Sequence, residues 1–307
     1  MNSYHDLQTE IKEFLGVMPP PTEVPFRVLE EEDKGHYTQR LVSYRGSEGD
    51  TITAFLLCPK GMGPFPAVLV HHQHNGERHL GKSEPAGLLG DPFQAFGPAL
   101  AERGFVVLAP DSICFEDRRL NCSGTEPDKQ DWSQHYNEMC YRLLRGEMLM
   151  TKVLDDALIA GTVLKSIPEV DPHRLGLLGH SYGGQTVLFQ GAIDNRFIYA
   201  CTSGAVCSFA NRMEHGTGIE MAAVMPGFLS KFEIMDLLKC FVTRRLLIMS
   251  ATDDKYAKDA DFILDELLRL HGEFGHHFIH KRYEGGHGLT QERYDFIIKW
   301  FTSWGVR

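Results

Sequence analysis

The 307-residue chain has no lysine- or arginine-rich run, and its formal net charge is −10. Nucleic acid and anionic membranes ask for the opposite balance, so neither is expected as a partner. No stretch approaches the roughly 18 apolar residues of a membrane helix. The opening residues, MNSYHDLQTEIKEFLGVMPPPTEVPF, lack a basic segment followed by an apolar one, so no secretory signal is expected. The seven cysteines (58, 114, 122, 140, 201, 207 and 240) are scattered and form no CxxC pair. Neither a zinc ribbon nor a dense disulfide framework is indicated, and a reduced, cytoplasmic protein is the simplest expectation. An internal repeat and a linker are also missing, which leaves one domain over residues 1–307. What is present, 43% apolar and 23% charged residues, is the composition of a globular protein with a sizeable core.

Residues 1–36 read as an N-terminal extension, with a short helix from about Asp6 to Leu15 that Pro19, Pro20 and Pro21 end. The alternating stretches 39–44 and 51–57 flank the turn-rich RGSEGD and predict an antiparallel hairpin. Short apolar runs follow: PAVLVH (66–71), FVVLAP (105–110), RLGLLG (174–179), FIYACTSG (197–204), RLLIMS (245–250) and FIHKRY (278–283). They alternate with helical periods such as Met150, Val153, Leu154, Ala157 and Leu158, or Phe262, Ile263 and Leu267. Thr290 is placed to cap a last helix. This alternation predicts an α/β fold, a mostly parallel sheet covered on both faces. Segments 112–140 and 207–231 fit it poorly. Each lies between a strand and the next helix, where loops leave the carboxyl ends of strands and ligands bind.

One of the strands runs into Gly179-His180-Ser181-Tyr182-Gly183, a G-x-S-x-G pattern with a helix predicted from about Gln185. A sharp strand-to-helix turn holds such a serine in a strained backbone, and side chains at 179 and 183 would collide with neighbouring elements. The helix also aims its first amides at the site, where they favour developing negative charge. A serine hydroxyl needs a base to remove its proton and a third group to orient that base. His287 stands between glycines in EGGHGLT, after one strand and before the last helix. Asp253 and Asp254 follow another strand in SATDDKYA and compete for the orienting role. A tetrahedral intermediate needs two amides, expected from Tyr182 and from the loop HHQHNG, where His74 is the candidate. Histidines 71, 72, 74 and 79 raise the question of a metal. Neighbours on a strand point to opposite faces, however, and no cysteine or carboxylate set completes a site, so no metal is expected. His271, His276, His277 and His280 read as surface or core residues. Arg118 and Arg119, on the 112–140 segment, are candidates for holding an acidic group of a substrate.

The stretches FPAVLVHHQHNG, GFVVLAPDS, VDPHRLGLLGHSYGG, RRLLIMSATDD and YEGGHG resemble an α/β-hydrolase of the dienelactone-hydrolase and acetyl-xylan-esterase-like branch. The resemblance implies an α/β-hydrolase fold of about eight mostly parallel strands and a Ser–His–Asp triad. Matched by motif, the triad is Ser181, His287 and Asp254, because the family's G-x-x-D pattern puts Ala251 at the glycine. Dienelactone hydrolases proper carry a cysteine nucleophile, so serine at 181 points towards esterases. The expected function is therefore hydrolysis of a small-molecule carboxylic ester through an acyl-enzyme, with no cofactor. An amide or peptide hydrolase, an acyltransferase and a catalytically silent binding protein are the other readings.

Overall fold

The computed structural model describes residues 2–270 and 277–305; His271 and His276 lie outside the described residues. Each short apolar run forms a strand, and they join one nine-stranded sheet. In chain order the strands are β1 (Phe26–Asp33), β2 (Tyr37–Arg45), β3 (Thr51–Pro59), β4 (Phe65–His71), β5 (Val106–Pro110), β6 (Val170–His180), β7 (Phe197–Ser203), β8 (Arg245–Ala251) and β9 (Phe278–Tyr283). Across the sheet they run β1-β2-β3-β5-β4-β6-β7-β8-β9. The pairs β1–β2, β2–β3 and β3–β5 are antiparallel, and all the others are parallel.

The extra strand is β1, which lies inside the supposed N-terminal extension. Its sequence, FRVLEEED, is exposed at seven of its eight positions, so it carries no alternating apolar signal. It pairs on one side only, and its acidic side chains and a bulge between Val28 and Glu30 suit an edge that must not recruit another strand.

The central strands are buried on both faces. Ala67, Leu69, Val106 and Leu108 enter a core that also holds α1 (Asn2–Leu15), α4 (Leu149–Ser166) and α5 (Tyr182–Ile193). The alternate residues Val68, Val70, Val107 and Ala109 enter a second core with α2 (Phe96–Ala101) and α9 (Gln291–Gly305). This is the period-two alternation of a strand read on both faces. Thr290 accepts the Arg293 N–H at 3.4 Å, as its capping position required. Within α8 (Ala260–Leu270) Ala260, Ile263, Leu264 and Leu267 are buried, whereas Phe262 is 68% exposed and off the stripe assigned to it.

The 112–140 segment ends in α3 (Asp131–Leu144), a helix that its apolar pattern does not reveal. Its inner face is largely polar: His135 and Arg142 are buried beside Met139. Chain order reverses around β4, which lies between β5 and β6, so the carboxyl ends of the central strands border a crevice there. The loop leaving β4 is anchored beneath that crevice by a buried cation. Lys82 Nζ lies 2.8 Å from Asp111, 2.5 Å from Glu116 and 2.7 Å from Asp117. Removing it would strand Asp111 and Glu116 in the interior. Lys82→Met is therefore expected to lower the free energy of unfolding by about 3–5 kcal/mol in urea titrations; a change below about 1 kcal/mol would contradict this role.

Candidate active site

At the end of β6 the chain passes through Ser181 into α5. Ser181 has φ 56° and ψ −118°, a conformation that costs a non-glycine residue of order 1–3 kcal/mol. Neighbouring strand ends hold it there. The Ser181 N–H donates to the Ser203 carbonyl of β7 at 2.8 Å, and the Gln185 N–H closes the first helical bond on the Ser181 carbonyl at 2.9 Å. A Cβ on Gly179 would overlap the backbone of Gly183, and one on Gly183 would overlap the His71 carbonyl at the end of β4. The glycines are thus required by the closeness of three backbones. Tyr182 is the first residue of α5, so its N–H has no acceptor within the helix.

The loops after β8 and β9 bring the other residues to Ser181. His287 Nε2 lies 2.8 Å from Ser181 Oγ, and His287 Nδ1 lies 3.0 and 2.9 Å from the two carboxylate oxygens of Asp254. Burial alone would raise the Asp254 carboxyl. The hydrogen bond and charge of His287, with the Tyr256 N–H at 2.9 Å, outweigh it and hold Asp254 below the usual carboxylate range. Of the two aspartates that the sequence leaves open, Asp254 meets His287. The Asp253 side chain is exposed, and its N–H joins the two loops by donating to the Gly285 carbonyl at 2.9 Å.

Sequence reasoning missed two supports of His287. Arg293, one turn into α9, donates to the carbonyls of Glu284, Gly286 and Gly288 at 2.7–2.8 Å and so fixes the loop that carries the histidine. His180 lies against the His287 ring, with centroids 4.8 Å apart, and shares a 2.9 Å hydrogen bond with Ser203 Oγ. Burial, and then the neighbouring His287, depress its pKa to about 3, so it stays neutral beside the His287 imidazole. His180 stands at a variable position of the G-x-S-x-G pattern and Arg293 in no motif, so neither was marked for this role; the contacts are tertiary.

Three of the four histidines at 71, 72, 74 and 79 have separate partners. His71 Nε2 lies 2.6 Å from Gln190 Oε1, while His72 Nε2 accepts the Ser112 N–H at 3.1 Å. His74 Nδ1 accepts the Gly76 N–H at 2.8 Å, which leaves Nε2 to face the buried Glu220 carboxylate. Burial would raise the pKa of Glu220, but His74, His135 and Arg78 outweigh it and bring it down to about 2. This pair ties the β4 loop to segment 207–231. His277 and His280 stand at β9, and His280 shares a 2.7 Å hydrogen bond with Ser250. Arg118 and Arg119 do not reach the site. Arg118 is buried between Asp50 and Asp156, each at 2.6 Å, and Arg119 donates to Asp131 at 2.6 Å. Buried charge seeks fixed counter-charge, and that consumes both guanidinium groups.

Ser181 and His287 open into a cleft of about 470 Å³. Trp132 and Tyr136 of α3 line it from segment 112–140, and Arg212, Ile219 and Glu220 from segment 207–231. Trp132 and Tyr136 are stacked 5.0 Å apart and partly exposed.

A nucleophile-type elbow between a central parallel strand and its helix, with a histidine and an acid on later strand-end loops, defines an α/β-hydrolase fold. Within it, residues 52–201 match the model of the Dienelactone hydrolase family. YtaP of Bacillus subtilis (strain 168), which carries the name of a hydrolase, is 32% identical over 188 residues. That match covers 59% of this chain and 58% of the relative, so the chain spans little more than half the length of that curated protein. Among solved structures, the glucuronoyl esterase from Solibacter usitatus superposes with a TM-score of 0.67 at 15% identity, covering 97% of this chain and 92% of that one. The acetyl xylan esterase from Paenibacillus sp. R4 gives 0.62 at 16% identity, with 99% and 95% covered. At such identities the likeness is one of fold.

The elbow makes a direct prediction. Gly183→Ala is expected to cost about 2–3 kcal/mol or more in denaturant unfolding, because the strand end and the helix cannot both stay. Gly218→Ala, where nothing lies within 4 Å of the added carbon, is expected to stay within about 0.5 kcal/mol. Equal effects of the two would contradict the crowding described.

Proposed function

We propose that the protein is a serine hydrolase that cleaves a small-molecule carboxylic ester through an acyl-enzyme on Ser181. The observation that carries this is the unbroken hydrogen-bond chain from Ser181 Oγ through His287 to Asp254, mounted on a strained elbow that opens into the cleft. Segments 112–140 and 207–231 then act as the walls of the substrate site of one catalytic domain.

Ser181 Oγ attacks the ester carbonyl while His287 Nε2 takes its proton. Asp254 fixes the ring with Nδ1–H towards itself and stabilises the imidazolium that forms. The oxyanion is held by the N–H groups of Tyr182 and His74, the first at the positive end of α5. His287 then returns the proton to the leaving alcohol, and water deacylates Ser181 with the same histidine as base. The His74–Glu220 pair holds the β4 loop in the shape that presents the His74 amide.

The test is hydrolysis of 4-nitrophenyl esters from acetate to octanoate. Ser181→Ala and Asp254→Asn are expected to lower kcat by about 10⁴-fold or more, with Asp253→Asn within about threefold of the parent. Activity of Ser181→Ala near the parent's would overturn the proposal.

A histidine base requires kcat/KM to fall on acidification along a single limb of unit slope. Because Asp254 is held below the ordinary carboxylate range, its own protonation adds no second loss above about pH 4. A flat profile between about pH 5 and 8 would count against a histidine base.

Glu220→Ala is expected to lower kcat about tenfold with KM little changed, as a misplaced oxyanion donor would. Glu220→Gln, which still accepts from His74 Nε2–H, should recover most of that loss. Equal behaviour of the two variants would remove Glu220 from the account.

A further inference from the structure

Arg212 departs from what most of the other buried cations show. Lys82, Arg118, Arg119, Arg142 and Lys152 each meet at least one carboxylate at 3.0 Å or less. Arg244 and Arg293 have none but donate to four and three backbone carbonyls. Arg212, in the short helix α6 (Phe209–Glu214), is 4% exposed. Among the described residues it meets no carboxylate, and its one side-chain hydrogen bond is a long one, Nη2 to the Ala205 carbonyl at 3.3 Å. Its Nε is buried without any partner. A guanidinium carries five N–H donors and cannot shed its proton, so this leaves a buried positive charge without a counter-ion.

The charge is aimed, too. Arg212 lines the cleft of Ser181 and His287. Its guanidinium is held against two rings, Phe209 at 5.9 Å and Tyr256 at 5.6 Å. The Tyr256 ring in turn meets the His287 ring edge-on, with centroids 4.9 Å apart. An anion on Arg212 would therefore sit one aromatic ring away from the base. Arg78 lines the same cleft and, among the described residues, has no carboxylate within 4 Å; the Gly76 carbonyl and His135 hold it. The acid that lines the cleft, Glu220, is engaged by His74. In a chain of net charge −10, the walls of this cleft are cationic.

We propose that the ester cleaved at Ser181 bears a carboxylate, and that Arg212 binds it. This rests on the ester-hydrolase reading given above. A carboxylate matches the guanidinium fork and supplies the counter-charge that Arg212 lacks, which a neutral group of the same shape cannot do. Arg212 is then the residue that sets specificity, with no part in proton transfer.

Two pairs of esters test this, differing only in whether the distal carboxyl is free or methylated. In 3-acetoxybenzoate and its methyl ester the carboxylate is on the leaving group; in the 4-nitrophenyl monoester of adipate and its methyl ester it is on the acyl group. In at least one pair the free acid is expected to be preferred about tenfold or more in kcat/KM, and Arg212→Gln should reduce that ratio about tenfold. Arg212→Lys, which keeps a charge but loses the fork, should fall between. Binding of the same compounds to Ser181→Ala by calorimetry gives a readout without turnover, and the free acid should bind about tenfold tighter there, an advantage lost when Arg212→Gln is added. If no ester is cleaved but this binding preference holds, the catalytic reading fails and the anion site stands. If neither pair favours the free acid, in rate or in binding, or if Arg212→Gln leaves the ratio intact, the proposal is overturned.

Discussion

The arrangement depends on one crowded junction, where the end of β6 turns into α5 between the ends of β4 and β7. Ser181 sits there with positive φ because the Ser203 carbonyl holds its N–H, while the His71 carbonyl leaves no room for a side chain at 183. Strain of this size persists only where the surroundings over-determine it. Here they do, through two buried parallel strands and a helix with no exposed residue. The strain puts the hydroxyl outside the sheet, at the mouth of the crevice, rather than into the core.

Around that fixed point, the loops that bring the other groups are held mainly by polar contacts. Arg293 gathers the His287 loop through three carbonyls, and Asp253 splices it to the Asp254 loop through its backbone. Lys82 anchors the β4 loop from below, and His74 with Glu220 ties it to the cleft wall. Such networks are costly when half satisfied and rigid when complete. They can hold a hydroxyl, an imidazole and a carboxylate in line to within hydrogen-bond tolerance. Arg212 lines the cleft with no carboxylate among the described residues and one long hydrogen bond, which is why it reads as a place for a ligand rather than as scaffold.

The parts legible in the sequence were those written in local pattern. Apolar runs of six to eight residues marked the strands from β4 onward, and the glycines around Ser181 marked the elbow. Histidine and aspartate just past strand ends marked the groups that the fold brings to the serine. What the sequence hid was tertiary. β1 carries its exposed acids on both faces and so has no alternation, and α3 buries His135 and Arg142 where a helix pattern would show leucine. Arg118 and Arg119 looked available on a polar loop, but Asp50, Asp131 and Asp156 are distant in sequence or on other elements. Arg212, by contrast, drew no attention in sequence, because the absence of a partner is visible only once every neighbour is placed.

The central claim is that Ser181 forms the covalent bond to the acyl group. The measurement that addresses it most directly is titration with an alkyl fluorophosphonate, which transfers a phosphonyl group to an activated serine and releases fluoride, followed by intact-mass and peptide-mass analysis. The account predicts one adduct per chain on the peptide that contains Ser181, with ester hydrolysis lost in proportion to the labelled fraction. Undiminished hydrolysis in fully labelled protein, or an inactivating label that maps elsewhere while Ser181 stays free, would contradict it.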